Sequence, residues 1–245
     1  MDNVTPVPES SPRVVVTLVA SAHARVLDLL AHTDEATLRA PSGLPGWTRA
    51  HVVSHLANNA WALERQVRFA RAGERVDIYD GGQEGRDREI EEGATRPRDE
   101  LLARLRDAQS ELETQWSDLS DGDWDLGVAY RDGTVTDTVF ARWREAEIHA
   151  VDLALTYRPR DWTAEFAHHL LDFLELRVPR GTRLDLIATD TDETRTLGSG
   201  DPVTIRGDLR DLTAWIAGRT PDGVLAPDVS ALPTLAPWPG RTAPR

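Results

Sequence analysis

Ala141-Arg-Trp-Arg-Glu-Ala-Glu-Ile-His-Ala-Val-Asp-Leu153 is the stretch whose reading decides the fold. At about 100° per residue a helix puts Glu145 and His149 roughly 40° apart, with Arg142 and Asp152 flanking them. Arg144 and Glu147 point nearly the opposite way, and Val139, Trp143, Ala146, Ala150 and Leu153 fill the sector between. A helix packed in a domain has one solvent face, so one of the two polar stripes is expected inside. Buried charge persists when it is paired or bound to a metal. Glu-x-x-x-His can present an oxygen and a nitrogen to one cation. The same spacing is also ordinary exposed decoration, so the pair acquires meaning only with a third ligand from another segment.

A second helix, expected from Arg49 to about Arg71 behind a Thr48 cap, offers one. His51, His55, Asn58 and Ala62 share a narrow face there, opposite Val52, Leu56, Leu63 and Val67. His55 is therefore either a core histidine bonded to a neighbour or the missing ligand. Two more long helices follow from spacing. One starts at Ser11-Pro12, with serine as N-cap and proline at the first helical position, and runs to Ala31. The other spans Pro97 to Leu119, with Leu101, Leu105, Ala108, Leu112 and Trp116 on one side. A short helix is expected over Arg86 to Glu92, a hairpin turn at Asp132-Gly133, and the quoted helix from Asp137 to Thr156. Pro41 to Gly46 reads as a loop anchored by Trp47. Four helices with an internal polar cluster make a bundle whose site lies between facing helices.

The break is expected at Tyr157 to Asp161, dividing residues 1–158 from a smaller α/β unit over 159–245 and making the class α+β. In the second unit Thr163 caps a helix to about Val178. Strands are expected over Arg183–Thr189, Thr194–Leu197 and Val203–Arg206, with an edge strand at Val229–Leu235. A helix runs from Asp208 to Gly218, and the Pro/Gly-rich tail from Pro237 is expected to be loosely held.

The 245 residues carry a net charge of −13 with a pI near 5.0, which argues against nucleic acid as the main partner. A small anionic substrate held by local arginines is compatible with that balance. With no cysteine in the chain, disulfides, thiolate ligands and a cysteine nucleophile are excluded, and thiol chemistry needs a thiol from outside. No run of about 18 apolar residues stands out, so no membrane span is expected. The acidic Pro/Ser-rich start lacks the basic region of a signal peptide, and the expected location is cytoplasmic.

Three segments resemble signatures of one family: Leu44-Pro-Gly-Trp-Thr-Arg-Ala-His-Val-Val-Ser-His-Leu56, Arg144-Glu-Ala-Glu-Ile-His-Ala-Val-Asp-Leu153 and Trp215-Ile-Ala-Gly-Arg219. The family is the mycothiol-dependent maleylpyruvate isomerases, with a DinB-like metal-binding four-helix bundle ahead of a small α/β domain. The resemblance covers nearly the whole chain in the same order. It implies that His55, Glu145 and His149 bind zinc. Two imidazoles and a carboxylate leave coordination positions open, as at catalytic zinc sites. His51 matches no ligand of the family and reads as supporting or structural. Asp152 either orients a ligand or merely ends the polar stripe, and Glu147 reads as solvent-facing or structural. The resemblance also assigns function to Arg219, which would reach from the second domain to clamp a substrate carboxylate bidentately. Without it, Arg219 is a helix-end arginine satisfying carbonyls, and Arg206 is a weaker substitute.

The implied reaction is the cis–trans isomerisation of maleylpyruvate to fumarylpyruvate in gentisate breakdown. A thiolate adds to the electron-poor double bond, the resulting single bond rotates, and the thiolate leaves. Zinc would favour the thiolate, zinc and Arg219 would stabilise developing negative charge, and mycothiol would donate the sulfur. No mycothiol pocket is legible; Trp61 and Tyr79 are conceivable lining residues whose bland role is structural. The rivals are a mycothiol S-transferase acting on another electrophile, a binding or regulatory protein without turnover, and a zinc hydrolase. The spacing says nothing of oligomeric state.

Overall fold

The computed structural model describes residues 11–239, so the first ten residues and the last six lie outside the account. Two compact units divide between Thr156 and Tyr157. Among the described residues the first contains α1 (Pro12–Ala31), α2 (Glu35–Arg39), α3 (Arg49–Arg71), α4 (Gly82–Ala94), α5 (Arg98–Ser117) and α6 (Val135–Asp152). The long helices α1, α3, α5 and α6 form the four-helix bundle. Their apolar stripes meet in a closed core: Val19 and Val26 of α1, Leu56 and Leu63 of α3, Leu105 and Leu112 of α5, Val139 and Ala146 of α6. Burying each such leucine or valine contributes about 1.5–3 kcal/mol.

Local chemistry sets the ends. Pro12 takes the first position of α1, although the Ser11 hydroxyl makes no capping bond. Thr48 caps α3 through a capping box in which its own N–H donates to His51 Nδ1 at 3.2 Å. That bond explains His51 as a helix-start residue, and its Nε2 lies 3.2 Å from Glu91 of α4. The short α2, unforeseen in the sequence, starts where Asp34 accepts from the Thr37 N–H at 2.7 Å. α6 stops at Asp152, and Ala154 then turns left-handed at φ 50. Ahead of α6 the tight turn sits one residue earlier than expected. Arg131 and Asp132 take positive φ (54 and 53), and the Gly133 N–H closes on Tyr130 O at 3.0 Å.

α4 is longer than the expected Arg86–Glu92 and lies along α3. Gly93 permits the approach, because a Cβ there would stand 2.2 Å from Ser54 Oγ. α1 is 20 residues long with a window of mean hydropathy 1.7, apolar enough by length and composition to cross a membrane. Its buried face packs into the bundle, and Arg25 pairs with Glu147 at 2.7 Å.

The second unit holds α7 (Ala164–Leu174), α8 (Leu209–Ile216) and a four-stranded sheet ordered β2-β1-β3-β4. β1 (Gly181–Ala188) pairs antiparallel with β2 (Glu193–Gly198) and parallel with β3 (Gly200–Gly207), with Leu186 opposite Ile205. The edge strand expected at Val229–Leu235 does not form. The edge is instead β4 (Ala226–Pro227), whose two residues oppose Arg206 and Ile205. Pro227 and Pro233 both lack the N–H a longer ladder needs. The tail expected to be loose is tied in as far as Trp238: the Ala236 N–H donates to Arg177 O at 2.9 Å, and Trp238 Nε1 to Ala217 O at 3.2 Å.

Candidate metal centre

α3 and α6 bring three side chains to one point. His55 Nε2 lies 2.8 Å from Glu145 Oε2 and 3.1 Å from His149 Nε2, and the last two atoms are 3.2 Å apart. The i, i+4 spacing puts Glu145 and His149 on one face of α6, and His55 faces them from α3 with the two imidazoles edge-on. His55 is buried, whereas the Glu145 side chain keeps 31% of its exposure. The triad is thus covered at His55 and partly exposed at Glu145.

The surroundings fix the rings. Arg86 of α4 donates from Nη2 to His55 Nδ1 at 3.2 Å. Asp152, 3% exposed, sets Oδ2 2.9 Å from His149 Nδ1. Trp47 packs beside His55, its ring centroid 5.7 Å away. Burial pulls the His55 pKa down to about 4 despite Glu145. For His149 burial acts the same way, but hydrogen bonding to Asp152 and Glu145 outweighs it and raises the ring to about 9. Glu145 is held well below the usual carboxylate range, because the two imidazoles overcome the opposing effect of burial.

The donor set fits a cation. An arginine only donates, so its contact makes His55 Nδ1 an acceptor and leaves the ring proton on Nε2. His149 Nε2 must then either meet that N–H with its own or turn a lone pair toward a carboxylate. With Glu145 ionised, no placement of protons makes all four contacts hydrogen bonds, and one positive centre among the three atoms would satisfy them. Ligands about 2.0–2.1 Å from a tetrahedral zinc stand roughly 3.4 Å apart, close to the observed triangle. Coordination through His55 Nε2 would move its proton to Nδ1 and turn Arg86 away.

Both polar stripes of α6 are interior, where one was expected. Arg142 is fully buried, Arg144 and Glu147 are 8% and 4% exposed, and Glu147 pairs with Arg25. Arg142 lies at the centre of a polar network the sequence did not disclose. Its Nε donates to His23 Nε2 at 2.8 Å, and its Nη1 to Leu56 O and Asn59 Oδ1, each at 2.8 Å. His23 Nδ1 in turn meets Glu113 Oε1 at 2.5 Å. The available signal was the place of His23 on the apolar face of its helix, between Val19 and Val26. Arg86 carried no comparable signal.

Arg219 lies in the second unit, just past α8. The Gly218 and Arg219 N–H groups close the helix on Trp215 O and Ala214 O, with Gly218 at φ +70. The Arg219 guanidinium donates to Ala217 O at 2.9 Å and lies 5.8 Å from the Trp238 ring centroid. Arg206 is exposed on β3. Trp61 and Tyr79 both line a cavity of about 310 Å³ in the first unit.

Residues 19–154 match the family model described as the mycothiol maleylpyruvate isomerase N-terminal domain. A crystal structure of the mycothiol-dependent maleylpyruvate isomerase is similar over 93% of this chain and 97% of its own, with TM-score 0.83 and 26% identity. A histidine-to-alanine mutant of that enzyme matches with the same values. YfiT from Bacillus subtilis, described as a probable metal-dependent hydrolase with an unusual four-helix bundle topology, covers 63% of this chain and 90% of its own at 16% identity. Its TM-score is 0.51, a likeness of fold alone. No curated protein sequence matches. The family match takes in more than half of the chain and contains His55, Glu145 and His149, and the chain therefore belongs to the mycothiol maleylpyruvate isomerase N-terminal domain family.

Proposed function

We propose that the protein is a cytoplasmic, mycothiol-dependent and zinc-dependent cis–trans isomerase converting maleylpyruvate to fumarylpyruvate in gentisate degradation. The observation that carries the reading is the meeting of His55 Nε2, Glu145 Oε2 and His149 Nε2 within 3.2 Å in a chain without cysteine. His55, Glu145 and His149 would hold the metal, with Asp152 orienting the His149 ring from behind. A divalent cation bound there, zinc in this reading, supplies the positive charge that favours the thiolate form of a thiol at neutral pH.

The chain's own residues have limited tasks in such a reaction. The sulfur of the cosubstrate adds to one alkene carbon while the electron pair moves to the conjugated carbonyl. The former double bond then rotates, and the returning pair expels the sulfur, so no thiol is consumed. Arg219 is the proposed carboxylate clamp, its planar guanidinium suited to two parallel hydrogen bonds. Half-buried Trp47, packed against the His55 ring, would shield that side of the ligand set from water.

The test is the ultraviolet absorbance of maleylpyruvate with enzyme and zinc, with and without mycothiol, followed by product mass. Isomerisation that needs mycothiol and returns it unchanged is the expected result. A product retaining the thiol would make the protein an S-transferase instead, and turnover without any thiol would overturn the reading.

A further inference from the structure

We infer that Trp238 is a positioning residue for Arg219, holding its guanidinium in one pose through ring contact and a shared backbone acceptor. The inference rests on the carboxylate-clamp role proposed for Arg219.

Arg219 leaves the chain just past α8, where Gly218 takes φ +70. A long side chain at a helix end has little of its own helix to lean on. Arginine carries a large rotamer entropy, and restricting it before a ligand arrives lowers the cost of gripping that ligand. Three contacts supply the restriction. Arg219 Nη1 donates to Ala217 O at 2.9 Å. Trp238 Nε1 donates to the same oxygen at 3.2 Å, so both side chains are registered on one carbonyl. The Arg219 guanidinium carbon lies 5.8 Å from the Trp238 ring centroid, inside the roughly 6 Å reach of a cation–π contact.

Trp238 is itself anchored, although it keeps 37% exposure and adds little to the core. The Ala236 N–H donates to Arg177 O at 2.9 Å, and Arg177 Nε returns a bond to Ala236 O at 2.8 Å. Arg177 Nη1 donates to Ile216 O, one residue before the carbonyl that Arg219 and Trp238 share. Phe173 of α7 stands 6.4 Å from the Trp238 ring. Residues 173–177, 216–219 and 236–238 are thereby fastened together, and the late segment of the chain decides where the Arg219 head group rests.

The cluster also favours one charge of ligand. The Arg177 guanidinium carbon lies 5.6 Å from the same ring centroid. Burial first, then the nearby Arg219, pull the Arg177 pKa below its ordinary value. Two cations held beside one ring repel, and a carboxylate at Arg219 relieves that repulsion. A neutral ligand leaves it in place.

The experiment is steady-state kinetics of the zinc-loaded full chain with maleylpyruvate and mycothiol. The wild type is compared with Trp238→Leu, Trp238→Phe, Arg219→Ala and the double variant Arg219→Ala/Trp238→Leu. Trp238→Leu should raise KM for maleylpyruvate by about tenfold, as for a lost preorganising contact. Its kcat, its KM for mycothiol and its zinc content should stay near the wild type. Trp238→Phe, which keeps a ring, should recover most of the loss, a rescue that guards against misfolding of the leucine variant. In the Arg219→Ala background Trp238→Leu should add less than about twofold, because the group it positions is gone. Wild-type kinetics in Trp238→Leu, or an additive loss in the double variant, would overturn the positioning role while the clamp reading stands. Normal kinetics in Arg219→Ala would overturn the clamp reading and this inference with it, as would a wild type that does not turn maleylpyruvate over.

Discussion

His149 is held from two sides, by Glu145 at Nε2 and by Asp152 at Nδ1. A carboxylate behind a ligating imidazole orients the ring and raises its basicity. Asp152→Asn should therefore weaken zinc by about 10–100-fold while the bundle stays folded, which chelator competition measures; an unchanged constant would return Asp152 to the end of a polar stripe. Arg219→Ala should keep its zinc and lower kcat/KM for maleylpyruvate by about 100-fold, as for one lost charge-assisted pair. Normal kinetics would leave Arg219 with the helix-end role its bond to Ala217 already describes. His23 offers a pH test. Burial first, then the nearby Arg142, pull its pKa from 6.5 to about 4. The neutral ring's contribution is fully present above pH 6.5 and lost as pH falls toward 4, worth on the order of 3 kcal/mol. Urea unfolding at pH 7 and pH 4.5 should show a steeper acid loss in the wild type than in His23→Gln, and equal losses would refute the assignment.

At the scale of elements, helical periodicity read α1, α3, α5 and α6 to within a few residues, because each carries one unbroken apolar stripe. It could not see α2, which is a single capped turn, nor the full length of α4. Only one face of α4 meets protein, and it begins at Gly81-Gly82, which reads as a break. Contact between α3 and α4 depends on Gly93 lying over Ser54. Gly93→Ala should destabilise the first unit by about 1–3 kcal/mol, read from urea midpoints. Adding Ser54→Gly, which removes the obstructing side chain, should restore part of the loss; a neutral single variant would show that the helices can part without cost.

For the molecule as a whole, the proposed cation joins α3 to α6 across 90 residues of chain. A ligand that binds only the folded state stabilises it by about 4 kcal/mol at a thousandfold over its Kd. For a unit of this size that is on the order of 10 °C in Tm. Melting with zinc and then with excess chelator should show that difference in the wild type and none in His55→Ala. A wild type indifferent to chelation would remove the ion from the bundle.

The sequence by itself determined what depends on neighbours along the chain: helix spacing, caps, and a Glu-x-x-x-His pair facing one way. It also excluded a thiol of the protein's own. Tertiary structure alone decided which polar stripe of α6 was covered, and the answer was both, because Arg25 arrives from α1 to meet Glu147 and His23 arrives to meet Arg142. The approach of Arg86 to His55 and the cavity beyond Asn58 were decided in the same way. Burial and pairing are set by residues far apart in sequence, and no periodicity within one helix records what packs against it.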